Sequence, residues 1–498
     1  MKKYLLFALV AFLAVTSASA QLRIKMGKNS PIEKLGRAEI AITNLYVDSV
    51  DENKLVEDAI RGMLEKLDPH SSYATAKETK AMNEPLNGSF DGIGVQFNMV
   101  DDTLLVIQPV TNGPSEKVGI IAGDRIVAVN DTAISGVKMS KEEIMKRLRG
   151  PKGTTVNLTI VRRGIKDKLI FKVKRDKIPV TTMDAAYMIR PGIGYIRLGS
   201  FGLTSHKEVT IAMDSLKKKG MKDLIFDLED NGGGYLQAAA QIANEFLQKG
   251  DLIVYTSGRA APRQEYKAQA NGRWRKGKVV VLTNEFTASA AEIVSGAIQD
   301  QDRGVVVGRR TFGKGLVQRP LTFDDGSEIR LTIAHYYTPS GRCIQKPYTL
   351  GDDKDYEQDL LDRYQHGEFF SQDSIKHTGP AYHTGNGRIV YGGGGITPDI
   401  FVPEDTLGMT SYFKEASLSG LILQFAFTYT DDNRPKLNNF KEMMELADYL
   451  DKQNMVDKFA TYADKHGLQR RNLLIRKSHK LLERYINSRV IYNMLNDQ

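Results

Sequence analysis

Three short apolar runs, Leu224–Leu228, Val279–Leu282 and Val305–Val307, constrain this chain more than any other feature. Apart from Asp227, runs this short and this apolar have no polar face to offer water, so they read as strands buried on both sides. Helical segments separate them, and that alternation predicts an α/β core beginning near Ile193. Ser205 with Glu208 reads as a capping box for a helix running to Lys219-Gly220. Outside the core the period changes. Residues 30–87 read as helical, with Leu35, Ala38, Ile42 and Leu45 on one face. Leu55, Ala59, Met63 and Leu67 form a second stripe, which Asp68-Pro69 ends. Short β-runs follow at Gly94–Met99, Leu104–Ile107, Arg125–Val129 and Thr155–Val161, with a helical stretch at Lys141–Leu148. From Leu418 helical stripes return: Leu418, Leu421, Ile422 and Phe425, then Phe440, Met443 and Ala447, then Leu474, Leu481, Tyr485 and Tyr492.

The length of 498 residues accommodates several domains, at roughly 100–200 residues each. An apolar fraction of 41% supplies sizeable cores and excludes global disorder. The formal charge of +9 is spread thinly, which fits a solvated surface and not a nucleic-acid groove. A single cysteine, Cys343, excludes an internal disulfide framework and any multi-cysteine metal site.

The first twenty residues read as an address. Lys2 and Lys3 precede an apolar run from Tyr4 to Val15, too short to span a bilayer, and Ala18-Ser19-Ala20 then precedes Gln21. This is the pattern of a cleaved signal peptide. No cysteine follows the run, so no lipid anchor is expected. No later stretch approaches a membrane span, and the mature chain is expected to be exported, to the periplasm or another extracytoplasmic space.

Gly92, Ile93, Gly94 and Val95 open a strand behind a flexible entry at Gly88. Two glycines there allow backbone N–H groups to converge on a carboxylate, and the strand that follows can take an extended peptide along its edge. Downstream come Ser115–Gly119, Ala122–Ile126, Val129-Asn130, Arg149-Gly150 and Gly153-Thr154. Together, residues 88–177 resemble a PDZ domain of the kind found in bacterial processing proteases.

A candidate nucleophile stands where the strand Val279–Leu282 gives way to a helix, in Thr287-Ala288-Ser289-Ala290-Ala291-Glu292. Free N–H groups and the positive dipole end at a helix start suit developing negative charge on Ser289. None of the eight histidines falls in a glycine-flanked or strand-to-helix loop, which leaves Lys314 as the candidate base. A free lysine, with a pKa of about 10.4, is a poor base near neutrality, but burial against apolar walls lowers it. Gly313 and Gly315 let the backbone close around Lys314, and Gln318, four residues on, is placed to orient the amine. An oxyanion site is offered by the glycines after Leu228, in Asp230-Asn231-Gly232-Gly233-Gly234-Tyr235. No Gly-Lys-Ser/Thr follows them, so a nucleotide phosphate loop is not indicated.

These strings, with Leu67-Asp68-Pro69-His70-Ser71, Asp227-Leu228, Tyr336-Tyr337-Thr338-Pro339-Ser340-Gly341-Arg342 and Gly395-Ile396 with Pro398-Asp399, occur in the order of a known family. From about Leu35 to Pro403 the chain resembles the carboxyl-terminal processing proteases, the tail-specific serine peptidases of family S41. The resemblance implies an α/β multidomain fold: a ClpP/crotonase-like catalytic core, an inserted PDZ domain and flanking helical regions. It implies Ser289 as nucleophile, Lys314 as general base and Gln318 as its orienter, with an oxyanion hole from Gly233, Gly234 and the Ala290 amide. Glu292 and Asp300 align with supporting polar positions. The chain departs from the family at Glu229 and Gly232, where arginine and proline are frequent.

The expected division is a signal peptide over 1–20, a helical region over 21–87, the PDZ domain over 88–177, the peptidase core over 178–403 and a helical region over 404–498. Residues 346–390, polar and rich in His, Gly and Asp, read as a surface insertion into the core. Expected partners are polypeptides with exposed C-termini, and the helical ends offer surfaces for a homo-oligomer. No cofactor and no metal is expected: His366, His377 and His383 lack ligand spacing, and the run Asp352–Glu357 lacks the glycine and glutamate of a calcium loop. Cys343 reads as a small packed hydrophobe. Two rival functions are a PDZ scaffold with an inactive core and a crotonase-like acyl-CoA enzyme.

Overall fold

The computed structural model describes residues 30–495 apart from 101, 353 and 378, so the expected signal peptide lies outside the described residues. The three apolar runs are neighbours in one sheet, ordered Met183–Arg190, Ile193–Leu198, Asp223–Asp227, Val279–Thr283, Val305–Gly308, Ile400–Phe401. Every pair after the first is parallel, with Phe226 beside Val281 and Val281 beside Val306. The helices Ser205–Lys218 and Leu236–Asn244 pack into the same core, and the helix Ala290–Asp300 is buried along its whole length. A helix apolar on all sides except for Glu292, Ser295, Gln299 and Asp300 must be covered on all sides. A second, antiparallel sheet takes Ser72–Ala74, Glu328–Tyr337, Leu252–Ser257 and Gln264–Lys267, with Leu316–Thr322 paired to the long strand.

Between these parts of the core, the strands Val95–Val100, Thr103–Pro109, Arg125–Val129, Thr155–Val161 and Leu169–Lys174 form a separate sheet. The helix Lys141–Leu148 packs on it, and Leu104, Ile126, Ile144, Leu158 and Val173 fill its own core. The chain enters and leaves this module on paired strands, Ser89–Gly92 against Asp176–Pro179. The C-terminal helices, from Ser411–Leu418 to His479–Leu495, surround a third core around Tyr412, Leu446, Phe459 and Leu482. They touch this inserted module through Arg125 and Asp431 at 2.5 Å and through Arg163 and the Asp431 carbonyl at 2.8 Å. Among the described residues no helix is long and apolar enough to cross a membrane.

Four local expectations are corrected. Ser205 is inside its helix and does not cap it: Thr204 is the N-cap, and the Glu208 carboxylate accepts from Thr182 and Met183 instead. Ser72–Ala74 is a strand within the region expected to be helical, paired to Glu328–Arg330. Leu418 ends a helix and is 90% exposed, because Gly420 at φ 73° starts the next helix on a new axis. Residues 346–390 are not merely surface: Lys346, Tyr356, Arg363, Glu368 and Phe369 are buried against the core. The first stripe does share one face, but that face of the helix Pro31–Leu45 stays open, with Leu35 46% and Leu45 81% exposed.

Candidate active site

The strand Val279–Thr283 runs into a tight corner whose apex is Ser289. Thr287 Oγ1 donates to the Leu228 carbonyl at 2.8 Å, and the Ala288 N–H donates to the Asn231 carbonyl at 2.9 Å. Both bonds tie the corner to the end of the neighbouring strand. Ser289 then takes φ 57° and ψ −116°, an unusual backbone for a serine, immediately before the helix Ala290–Asp300. Such a conformation costs of order 1–3 kcal/mol and persists only where its surroundings enforce it. Here the enforcing group is Glu292, whose Oε2 accepts the Ser289 N–H at 2.8 Å.

Glu292 is fully buried, and its carboxylate has three further donors. Oε2 also accepts the Lys314 N–H at 2.8 Å, while Oε1 accepts the Gly313 N–H at 2.8 Å and the Thr311 hydroxyl. Burial pushes its pKa up against these four hydrogen bonds, which pull it down. One oxygen therefore holds the peptide N–H of Ser289 and that of Lys314 together.

Lys314 lies in the loop before the strand Leu316–Thr322. Gly315 permits the close approach of that loop to its cover, since a Cβ there would stand 2.7 Å from the Gln345 N. Burial lowers the Lys314 pKa from its ordinary value, and the Arg330 guanidinium lowers it further, while Asp68 and Glu292 oppose them. Its Nζ donates to Gln318 Oε1 at 3.2 Å, and the Gln318 Nε2 donates to the His70 carbonyl. Among the described residues, the side-chain bond of Lys314 is to Gln318 and not to Ser289. The Ser289 hydroxyl faces the buried Tyr336 phenol, whose own hydroxyl donates to the Lys314 carbonyl.

The glycine loop closes the other side of Ser289. A Cβ on Gly233 would stand 2.8 Å from the Ser289 Cβ and 3.0 Å from the Ala290 N. Gly234 has φ 144° and lies so close to Phe201 that a Cβ would meet its carbonyl oxygen at 2.2 Å. The Gly233 N–H donates to Asn231 Oδ1 at 2.9 Å, and Asn231 Nδ2 donates to the Leu198 carbonyl at 2.7 Å. Among the described residues, the N–H groups of Gly234 and Ala290 have no such partner. Asp300 lies apart, at the far end of the buried helix. There it pairs with Arg342 at 2.7 Å, both side chains fully covered, and accepts from Ser340.

In the inserted module, Gly92, Ile93, Gly94 and Val95 line a cleft of about 70 Å³ with Phe90, Phe97, Met145, Leu148 and Arg149. Gly94 has φ 70°. The cleft lies between the strand Val95–Val100 and the helix Lys141–Leu148, and its Arg149 guanidinium stands 4.6 Å from the Phe90 ring centre.

The sequence did not single out Asn231, Tyr336 or His70 for roles at this site. Each lies in a string that carries the family resemblance. The signal for Asn231 and Tyr336 was position alone, and His70 acts through its backbone carbonyl, which no sequence pattern displays.

The sequence matches the model of peptidase family S41 over residues 192–357 and that of the PDZ domain over 92–175. It also matches the N-terminal domain of the activating protease CtpB over 10–79 and a family of unknown function over 412–496. The carboxy-terminal processing protease CtpA of Bacillus subtilis is 37% identical, the match covering 68% of this chain and 72% of that one. A carboxy-terminal-processing protease of Bartonella bacilliformis is 34% identical, over 72% of this chain and 82% of its own. CtpB of Bacillus subtilis is 34% identical, over 67% and 69%.

Proposed function

The chain belongs to the carboxy-terminal processing proteases of peptidase family S41 and carries a PDZ domain, and on that premise we propose that Ser289 and Lys314 are its nucleophile and base. The Lys314 amine, in the neutral form that its lowered pKa favours, takes the Ser289 hydroxyl proton as Oγ attacks the scissile carbonyl. The oxyanion that forms is met by the unpaired N–H groups of Gly234 and Ala290. Gly233 contributes by having no side chain, since any Cβ would strike Ser289. Lys314 then gives its proton to the leaving amine. A water, deprotonated by the same amine, releases the acyl group from Ser289. Gln318 holds the amine in place as its orienter. Glu292 is a positioning residue, and Asp300 a structural one remote from the reacting atoms.

The observation that carries this reading is the shared Glu292 oxygen, which fixes the backbones of Ser289 and Lys314 in one frame. The test is cleavage of a fluorogenic peptide with a free C-terminal carboxylate. Ser289→Ala and Lys314→Ala abolish turnover, and Lys314→Arg is equally inactive, because guanidinium does not deprotonate. Appreciable turnover by Lys314→Arg overturns the assignment. It also discriminates against a scaffold with an inactive core, which would show no wild-type turnover.

Substrates are polypeptides whose C-terminal carboxylate reaches the N–H groups of the Gly92–Val95 loop, with the tail laid along the strand Val95–Val100. The leader over 1–20 supports export to an extracytoplasmic space, for which N-terminal sequencing of the mature protein reads Gln21 first. The open apolar face of Pro31–Leu45 supports a homo-oligomer through the helical ends, and a monomer by sedimentation would refute it.

A further inference from the structure

The helix Lys354–Gln365 belongs to the polar segment inserted into the core, and within it only Tyr356 and Arg363 are buried. Tyr356 is 5% exposed because three groups enclose its ring. Phe312 meets it edge-on at 5.9 Å, the His70 imidazole at 5.1 Å, and the Lys346 Nζ stands 3.9 Å from its centre. Lys346 also donates to the Tyr356 carbonyl at 2.9 Å and pairs with Asp359 at 3.0 Å, which pins the helix to the loop preceding Lys314. Its own N–H donates to the Gly313 carbonyl.

This packing puts one hydroxyl between two arms, one reaching the Lys314 amine and the other the Gly315 peptide. The Tyr356 hydroxyl is 2.8 Å from His70 Nε2, and the His70 carbonyl accepts from Gln318 Nε2. The Tyr356 hydroxyl also accepts from Gln345 Nε2 at 3.4 Å, and Gln345 Oε1 accepts the Gly315 N–H at 2.8 Å. A carboxamide can be seated either way round, with nitrogen and oxygen exchanged. Seating the Gln318 nitrogen on the His70 carbonyl leaves its oxygen, and only its oxygen, for the Lys314 amine. Asp68 fixes the His70 backbone, accepting its peptide N–H at 3.0 Å, and the imidazole bond to Tyr356 is the tie from the inserted segment.

We propose that Tyr356 is a positioning residue for the lysine, its hydroxyl setting the Gln318 amide through His70 and the Gly315 peptide through Gln345. The proposal rests on the reading of Lys314 as base. It gives the inserted segment a part in the reaction: it completes the wall against which the base is aimed.

The experiment is a double-mutant cycle on the full chain with the fluorogenic tailed peptide. Tyr356→Phe keeps the ring and removes the hydroxyl. It lowers kcat about five- to tenfold with KM unchanged, and His70→Ala does the same. Gln318→Ala lowers kcat by itself, and adding Tyr356→Phe to it costs less than Tyr356→Phe costs the wild type, since one of the two groups through which the tyrosine acts has gone. A merely structural tyrosine would instead multiply its loss onto that of Gln318→Ala. Wild-type kcat in Tyr356→Phe, or multiplied losses in the double variant, overturns the relay alone. Wild-type kcat in Gln318→Ala overturns the orienter reading of the site, and the relay with it. If Tyr356→Phe lowers the thermal midpoint, the same cycle run with His70→Ala decides.

Discussion

Removing the Glu292 carboxylate by two different substitutions separates its hydrogen bonds from its charge. In Glu292→Ala, three peptide N–H groups, of Ser289, Gly313 and Lys314, lose their acceptor inside a fully buried site. At about 1–3 kcal/mol for each buried unsatisfied donor, the loss is at least ~3 kcal/mol of stability. It also frees the strained Ser289 corner from the lysine loop, and a misplacement near 1 Å is worth about 10²-fold in kcat. Glu292→Gln is milder for a geometric reason. Its remaining oxygen can keep Ser289 and Lys314 while its NH₂ faces Thr311, whose hydroxyl oxygen can accept, and Gly313, whose N–H is then orphaned. One orphan costs about 1–3 kcal/mol. Relief from burying a charge, the effect that pushes the Glu292 pKa up, offsets part of it. The expected order in kcat is therefore wild type, then Gln within about tenfold, then Ala at least ~10²-fold down. The assay is urea unfolding beside steady-state cleavage of the tailed peptide. Glu292→Ala with kcat within about twofold of wild type would refute the reasoning, and Gln as damaging as Ala would show that charge, not the donor geometry, matters.

Because Lys314 must be neutral to act, kcat/KM rises with pH along a limb whose midpoint lies below the ordinary lysine value of 10.5. Arg330→Met removes the guanidinium that helps depress it, so the lysine pKa rises and the limb moves to higher pH; a pH–rate profile that stays put or moves down contradicts the assignment. Deleting residues 88–177 changes kcat on unfolded casein as well as KM on tailed peptides. The entry joint is bonded to the glycine-loop surroundings, Leu86 through its carbonyl to Leu203 at 2.8 Å and Asn87 to the Tyr235 hydroxyl at 3.3 Å. A change confined to KM for the tailed peptide would make the module a tether only.

The sheet was legible because its strands are apolar on both faces, though only one face is fully covered: Phe226, Val281 and Val306, side by side on it, are inaccessible, while Ile225, Val280 and Val305 on the other are half-buried. Ser289 was legible as the residue between such a strand and a helix. Gln318 was placed beside Lys314 by its spacing of four, and the two do bond, but through different geometry. Lys314 precedes the strand, and a register shift between Val317 and Gln318 aims the amide back at it. A bulge of that kind leaves no trace in periodicity. The oxyanion loop was legible as glycines, yet which of its N–H groups remain unpaired depends on where Asn231 turns. The buried face of the inserted segment was hidden by composition. Its helix averages strongly polar, and Tyr356 and Arg363 are too few to form a stripe.

These contacts also order the site by distance along the chain. The nucleophile is set by local bonds from Thr287 and Glu292, within a few residues of Ser289, and by ties of moderate range to Leu228 and Asn231 on the neighbouring strand end. The amine of Lys314 is set by non-local ones: His70 from a segment about 250 positions upstream reaches it through Gln318, and Gln345 from the next segment holds the peptide after it. The corner closes shorter loops than the base does, and so at lower entropic cost. A base oriented by segments so far apart is oriented only once the core, the leading strand Ser72–Ala74 and the inserted helix have docked. On the proposed reading, a partly folded chain then carries a formed serine corner without an aimed base.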